Sequence, residues 1–556
     1  MKQLSGIFLT MNTAKRGLFA QQQAVSTAGH NIANANTDGY SRQRVELVTT
    51  PGYRIPNVGM VGTGVDISTI ARVRDSYLDV QIRYETSIGG QYKARQDILE
   101  QIETAFLEPG ENGLNTYMGK MWDAWQDLSN SPENSNTRTI VRDNSLTFTD
   151  SLNHLYQQLD TLKADSISLE ESKVLDAHSI LDQIKDLNNQ IFKIKISGDE
   201  PNDLLDKRDL LLDELSEIID FTATEDEHGR VTITHMNGAD EVTLLGTDKG
   251  KEIQYEMSVV RSVEKDADGN VVKVTLVRGG DSINGVVELP AGSYPSYMQE
   301  GAVVLNNMSW EKGSTDLTSA DLKSFEITNG ELKGYQTVSE ETAKYQDQLN
   351  GLARAIAYAV NKVHSYDGKY PTVTDAFFVG DNGTEQGVVA LADINAGNIT
   401  VSKTIINDVN KIHAKKEIDG PAGDGERALA IAQLRNTRLP VQDFMDKDFL
   451  VNPSKKITYN MEEMKFTNAD SGNTFEGYFK DIIVGLGISA KDADKMVENQ
   501  DALTGQLIQR RYSISGVSMD EEITNLIQFQ HAYQANANVI STLTVMLDTL
   551  INRMGV

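Results

Sequence analysis

Cysteine is absent from this 556-residue chain. That excludes a disulfide framework, thiolate zinc sites, cysteine nucleophiles and Cys-ligated iron–sulfur clusters. Proline is scarce, with 11 residues where about 5% of a chain is usual. A chain so poor in breakers suits long helices. A basic surplus is missing too: 52 Lys and Arg face 80 Asp and Glu, a net charge of −28. Phosphate binding needs clustered Lys and Arg, so no nucleic-acid partner is expected. No apolar run approaches the roughly 18 residues of a membrane span, so no membrane insertion is expected. The start, MKQLSGIFLTMNTAKRGLF, has neither an unbroken apolar h-region nor a small-residue cleavage site. No Sec-type signal peptide is expected from it.

With 39% apolar residues the chain can bury an ordinary core, and its length suggests about three or four folded units. Its charge is uneven. Residues 1–37 contain no Asp or Glu, and from Ile523 onward the only acid is Asp548. Both ends are built from Gln, Asn, Ser, Thr, Ala and aliphatics.

The ends also share a period. A 3–4 spacing picks out Leu4, Ile7, Met11, Ala14, Leu18, Gln21, Val25, Ala28 and Ile32, eight of nine apolar. It picks out Leu526, Phe529, Tyr533, Asn536, Ile540, Leu543, Leu547, Leu550 and Met554, again eight of nine. Random placement would give roughly 3.5 of nine, so both stretches read as coiled-coil seams. With both free termini at one end, the pair would run antiparallel. The charged flanking positions that normally fix partner and register are largely missing. Phe8, Leu9, Phe19, Ile523 and Ile551 lie off the seam, and a helix apolar beyond one stripe is buried on more than one side. Gly6, Gly17 and Gly29 each weaken the first helix by about 1 kcal/mol relative to Ala. The ends are therefore expected to be poorly folded alone and to become helical against neighbouring subunits.

Between the ends, Asp38-Gly39 marks a turn, and 41–74 reads as strands and turns. Residues 76–107 and 112–130 look helical. A further helix is expected from near Glu133, and another around Leu204–Ile219. From Phe221 to about Thr328 the pattern switches to short strands, with a hairpin over 259–280 turning at Asp268-Gly269. Helix returns at Glu340–His364, and a mixed segment of short strands and helices runs to about 505. The expected fold is mainly α with an inserted β-rich domain: a terminal antiparallel coiled coil plus a helical rod. Its divisions are 1–70 with 506–556, 71–220 with 329–505, and the insert 221–328.

Motifs for chemistry are weak. Gly59, Gly62 and Gly64 do not match a phosphate loop and read as strand-turn glycines. Asp266, Asp268 and Gly269 lack the calcium-loop Glu, since Thr275 stands at the twelfth position. Asp520, Glu521 and Glu522 precede the C-terminal helix, where Ser518 and Glu521 are spaced as a capping box. The eight histidines show no H-E-x-x-H or paired arrangement. No G-x-S-x-G elbow occurs. Catalytic residues, cofactors and metals are expected to be none.

GHNIANANTDGYSRQRVEL (29–47) and SGVSMDEEITNLIQFQHAYQANANVISTLTVMLDTLINRM (515–554) resemble the terminal signatures of bacterial flagellar rod, hook and hook-associated proteins. NDLLDKRDLLLDELSEII (202–219) and GELKGYQ…YQDQLNGLARAIAYAVNKVH (330–364) narrow the resemblance to the hook-associated protein 1 family. The resemblance implies a structural adaptor between hook and filament, secreted to the extracellular flagellum. It implies a homo-oligomeric ring of about eleven copies, with hook protein on one side and the second junction protein, hook-associated protein 3, on the other. Export would use the flagellar type III apparatus, with a chaperone on the C-terminal region. The terminal helices would form the inner tube and the insert would face outward. Assembly contacts would fall on Leu4, Ile7, Met11, Leu18, Val25, Ile32, Leu526, Phe529, Tyr533, Ile540, Leu543, Leu547 and Leu550. Asn31, Asn34, Asn36, Gly39 and Tyr40 fall on the family's turn motif. Rival readings are another hook or rod component, or a secreted axial scaffold whose insert is enzymatic or adhesive.

Overall fold

In a computed structural model, the chain is described over residues 2–549 and 551, apart from 56–58, 107–109, 111–112, 249–250, 267–269, 280–285, 290–293, 296, 307–321, 367–374, 385–386 and 470–471. Helix α1 (Lys2–Ala33) leads into strands β1 (Gln43–Thr49), β2 (Tyr53–Ile55), β3 (Gly59–Val61) and β4 (Val65–Arg72). Helices α2 (Ser76–Phe106), α3 (Leu114–Asn130), α4 (Ser135–Ile196) and α5 (Asn202–Ile218) follow. Next come β5 (Thr222–Glu225), β6 (Val231–Asn237), β7 (Asp240–Asp248), β8 (Lys251–Gln254), β9 (Glu256–Lys265), β10 (Val271–Arg278), β11 (Val286–Leu289), β12 (Val303–Asn306) and β13 (Leu322–Ser324). The rest is mainly helical: α6 (Glu331–His364), α7 (Lys403–Asn407), α8 (Glu426–Gln433), α9 (Lys447–Val451), α10 (Phe475–Ser515) and α11 (Met519–Asp548).

Most elements fall where the periodicity puts them. The hairpin of β9 and β10 is present with antiparallel pairing, while its turn at Asp268-Gly269 lies outside the described residues. Gly59 closes the β2–β3 hairpin, and Gly62 and Gly64 join β3 to β4. The mixed segment expected to run to about 505 is instead helical from Phe475, over 41 residues. Thr474 Oγ1 accepts the Gly477 amide at 3.1 Å and starts that helix. Phe475, Phe479, Ile482 and Leu486 then recur at helical spacing and are buried. Their packing outweighs Gly485 and Gly487, each costing about 1 kcal/mol in a helix interior.

The chain divides into two compact units: 1–91 with 171–333 and 498–556, and 92–170 with 334–497. In the first, β1 and β4 pair antiparallel with a bulge between Glu46 and Leu47. The strands of 222–324 form a four-stranded sheet in the order β5-β6-β7-β8 and a five-stranded sheet in the order β11-β10-β9-β12-β13. Val260, Val274, Leu276, Leu289 and Val304 form the core of the latter.

The second unit is built around the C-terminal part of α6, where Leu349, Leu352, Ile356, Tyr358, Val360 and Val363 are all buried. A helix apolar on every side belongs in a core. Trp122 stacks on Phe475 at 5.8 Å between ring centroids, and Trp125 lies against Phe377 at 5.0 Å. His364 and His413 stack at 4.3 Å in the same core. His364 Nε2 accepts the His413 amide at 2.9 Å, and its Nδ1 donates to the Asp375 carbonyl at 2.9 Å. The His364 ring is therefore neutral, and the His413 Nδ1 donates to the His364 carbonyl at 3.0 Å. Burial pushes both below the ordinary histidine value; His413, Arg427 and Arg138 add to this for His364, against the Asp375 carbonyl, while for His413 the His364 carbonyl opposes it. In the first unit, burial likewise lowers His178, whose Nε2 accepts the Met257 amide at 2.7 Å.

A folded pKa below the unfolded one gives stability that is complete above the unfolded value and lost as pH falls. The melting temperature is therefore expected to drop as pH is lowered from 7 to 5, beginning near about 6.5. Calorimetric scans across that range test this. Identical melting at pH 7 and pH 5 would contradict it.

Candidate assembly interface

Helices α1 and α11 pack along each other. Asn31 Nδ2 donates to Glu522 Oε2 at 3.1 Å, and Gly17 lies against Asn536. Later residues of one helix thus meet earlier residues of the other, and the pair is antiparallel. The buried side of α1 carries Ala14, Ala20, Ala24, Thr27, Ala28 and Asn31. On α11 the buried residues are Glu522 and Leu543.

The positions picked out by period mostly flank this line. Ile7, Met11, Leu18, Val25 and Ile32 are half-buried, as are Leu526, Phe529, Ile540 and Leu547. Tyr533 is exposed. Leu4 lies within α1, its side chain outside the described residues, as is Leu550. Apolar surface remains open on both helices: Phe8 is 49% exposed, Phe19 54% and Val545 64%, joined by Ile523, Ile527 and Met546.

Asn31 ties three elements together. Its Nδ2 donates to the Gln43 carbonyl at 2.9 Å and to Glu522, while its Oδ1 accepts the Gln43 amide at 2.9 Å and the Tyr40 hydroxyl at 2.8 Å. An amide side chain has two donor hydrogens and two acceptor lone pairs, and all four are used. Because Tyr40 gives its only proton to Asn31, the neighbouring His30 Nδ1, at 3.0 Å, must donate to Tyr40. Burial, then the charges of Asp203, Asp206 and Glu522, push the Tyr40 phenol far above its usual range.

Other turn residues have smaller roles. Asn34 Nδ2 donates to the His30 carbonyl at 3.0 Å, ending α1. Asn36 is exposed. Gly39 has φ +75°, and a Cβ there would sit 3.2 Å from Leu210 Cβ. A left-handed backbone in close contact admits glycine most easily.

The capping-box expectation needs correction. Helix α11 does begin after Ser518, but the Ser518 side chain makes no capping hydrogen bond. Glu521 turns instead to Arg42, with Nη1 to Oε2 at 2.8 Å. A full opposite charge outcompetes a backbone amide for the carboxylate. The same residue holds the preceding helix, since the Arg42 amide donates to the Ser515 carbonyl at 2.8 Å.

One cluster was not anticipated. Asp203, Asp206, Asp209 and Asp213 recur at three- and four-residue spacing, which puts four carboxylates along one side of α5. Arg72 Nη1 reaches Asp206 at 2.8 Å and Asp209 at 2.7 Å. Arg83 Nε and Arg511 Nη1 hold Asp213 at 2.8 and 2.6 Å. Arg74 Nε bonds Asp79 at 2.6 Å and approaches Asp209 at 3.5 Å. Burial alone would raise the Asp209 carboxyl, but Arg74, Arg72 and Arg83 together hold it below the ordinary range. The acidic spacing in 202–213 was the signal available in the sequence.

A cleft of about 490 Å³ opens beside this cluster, lined by 35–41 with Arg74, Leu210, Arg511 and Tyr512. Both arginines are already ion-paired. Among the described residues, no group of three His, Asp or Glu is placed to hold a metal, and no helix is long and apolar enough to cross a membrane.

Comparison with known proteins bears on both ends and the middle. The family model for the flagellar hook-associated protein FlgK helical domain matches residues 99–370. Those for flagellar basal body rod FlgEFG protein C-terminal and flagella basal body rod protein match 508–554 and 11–40. These last two hold α11 and most of α1, with Asn31, Tyr40 and Glu522. Flagellar hook-associated protein 1 of Bacillus subtilis (strain 168) is 29% identical, covering 100% of this chain and 99% of its own. That of Escherichia coli (strain K12) is 25% identical, covering 98% and 99%. The structure of the flagellar hook junction protein FlgK from Burkholderia pseudomallei matches in fold, with a TM-score of 0.52 and 14% identity over 78% of this chain and 100% of that one. With relatives of one name aligned from end to end and a helical-domain model matched through the middle, the chain is similar along its whole length to the flagellar hook-associated proteins.

Proposed function

We propose that the chain is a structural adaptor joining hook to filament, working without catalysis and assembling as a ring of about eleven copies through its terminal helices. The observation that carries this reading is the open apolar surface of α1 and α11. Each helix uses one line of contacts on the other and leaves Phe8, Phe19, Ile523, Ile527 and Val545 facing outward. In a monomeric protein such a surface is a liability, whereas neighbouring copies would cover it. The residues Ile7, Met11, Leu18, Val25, Ile32, Leu526, Phe529, Tyr533, Ile540, Leu543 and Leu547 divide between the intrachain contact and the contacts to neighbours. The relatives' names support a place at the hook; hook protein and hook-associated protein 3 would be the axial neighbours. The sparsely charged ends suit export through the flagellar type III apparatus, the C-terminal region being held beforehand by a chaperone. In this arrangement 1–70 with 506–556 forms the inner tube, 71–220 with 329–505 the surrounding helical layer, and 221–328 the outward module.

Deleting 526–556, or making Leu543→Asp, is expected to abolish swimming while leaving the second unit folded. A carboxylate at this buried position costs several kcal/mol. Motility assays with circular dichroism of the purified variants decide it, and normal swimming by either variant would overturn the assignment.

A further inference from the structure

The tail helices lack the flanking charges that ordinarily fix register, and apolar contacts alone tolerate sliding by a turn. Two contacts in the first unit supply what the charges do not. The first is the Asn31–Glu522 hydrogen bond of 3.1 Å, with Asn31 1% and Glu522 4% exposed. The second is a knob and hole. A Cβ added to Gly17 would lie 2.9 Å from Asn536 Oδ1 and 3.1 Å from its Cγ, so the Asn536 amide occupies the space that any other residue would need. Asn536 is held there by its own helix, Nδ2 donating to the Ala532 carbonyl at 3.0 Å.

The two contacts agree on one alignment. Gly17 lies fourteen residues before Asn31, and Asn536 lies fourteen residues after Glu522. One register therefore satisfies both, and a slide by one turn breaks both at once. It would strand a buried carboxylate at one end and drive Asn536 towards side chains larger than glycine. Gly17 is an unfavourable residue for a helix interior, so the position gives up helix propensity for this fit.

We propose that Gly17 with Asn536 and Asn31 with Glu522 are the register-determining contacts of the tail pair, selecting the one antiparallel alignment that presents its outer apolar faces to neighbouring copies. The alignment itself is a property of the single chain. Its presentation to neighbours rests on the adaptor reading above.

The chain has no cysteine, so introduced pairs report alone. In the proposed register Ala28 faces Asn525, three residues from each of Asn31 and Glu522. The purified full-length chain carrying Ala28→Cys with Asn525→Cys is oxidised beside one carrying Ala24→Cys with Asn525→Cys, which is off by a turn. The first pair is expected to close about ten times faster, because disulfides tolerate only a few Å of Cα separation. Adding Gly17→Leu is expected to remove that preference, and adding Asn536→Ala to Gly17→Leu is expected to restore it. Equal rates for the two pairs, or a preference untouched by Gly17→Leu, would overturn the proposal. Failure of the adaptor reading shows up separately, as absence of the correctly aligned chain from flagella sheared from cells.

Discussion

Asn31→Ala is expected to destabilise the unit holding the tails by about 2–4 kcal/mol, because it removes four hydrogen bonds and leaves a buried carboxylate and two backbone groups unpaired. The loss is larger than that of an ordinary polar substitution for a specific reason. Nδ2 and Oδ1 both pair with Gln43, so the amide closes a two-bond ring with the start of β1. The same atoms also hold Glu522 on α11 and the Tyr40 hydroxyl. No single water replaces two donors and two acceptors in that geometry. Asn31→Asp separates charge from shape. It keeps the size but loses both donors and faces Glu522 with a second carboxylate. It is expected to be at least as damaging as alanine at pH 7 and to recover partly as pH falls into the carboxylate range. Scanning calorimetry of the full-length variants measures both effects. A change within about 0.5 kcal/mol for Asn31→Ala, the ordinary scatter of surface substitutions, would refute the role given to this residue.

The second large effect is expected at Asp209. Its carboxylate lies 2.7 Å from Arg72 and 3.5 Å from both Arg74 and Arg83. Asp209→Ala would leave three guanidinium groups close together with too few acids. Breaking a buried ionic network by deleting one member costs about 3–5 kcal/mol. Asp209→Asn keeps the acceptor and the shape, so a smaller loss is expected. The pH dependence carries a definite sign. Asp209 is held below the ordinary carboxylate value, so its contribution is complete above the unfolded value of about 3.9 and disappears as pH falls through the lower folded value. Wild-type and Asp209→Ala chains should therefore converge in stability below about pH 4, and differ most near neutrality. A difference that persists unchanged to pH 2 would show that the residue acts through packing rather than charge.

Much of this arrangement was legible in the sequence. The shared lack of charge at the two ends, with apolar residues at helical spacing, identified α1 and α11 and their antiparallel sense. The period count weighted large side chains such as Leu18 and Val25, whereas the close face belongs to Ala20, Ala24 and Asn31. Small residues bring backbones together, and the larger ones are pushed to the flanks. Asn31 and Tyr40 were found through the turn motif. The distant partner, Glu522, was not, because a hydrogen bond between residues 491 apart leaves no local pattern. The Asp203-to-Asp213 stripe did leave one, but four acids on a helix normally signal a solvated face. Only the arginines arriving from β4, α2 and α10 turn that stripe inward. Ser518 and Glu521 carried the spacing of a capping box, and Arg42 redirected the glutamate.

A chain without thiols has thioether as its only sulfur, and among the described methionines two settings contrast sharply. Met118, Met121 and Met257 are sealed in cores, whereas Met60, Met519 and Met546 lie open, the last two on α11. Peroxide would convert the open ones first, placing a polar sulfoxide on the outward face of a tail helix while the folded cores stay intact. In the proposed assembly, oxidative ageing of this molecule should thus be felt as loosened cohesion between copies long before it is felt as unfolding.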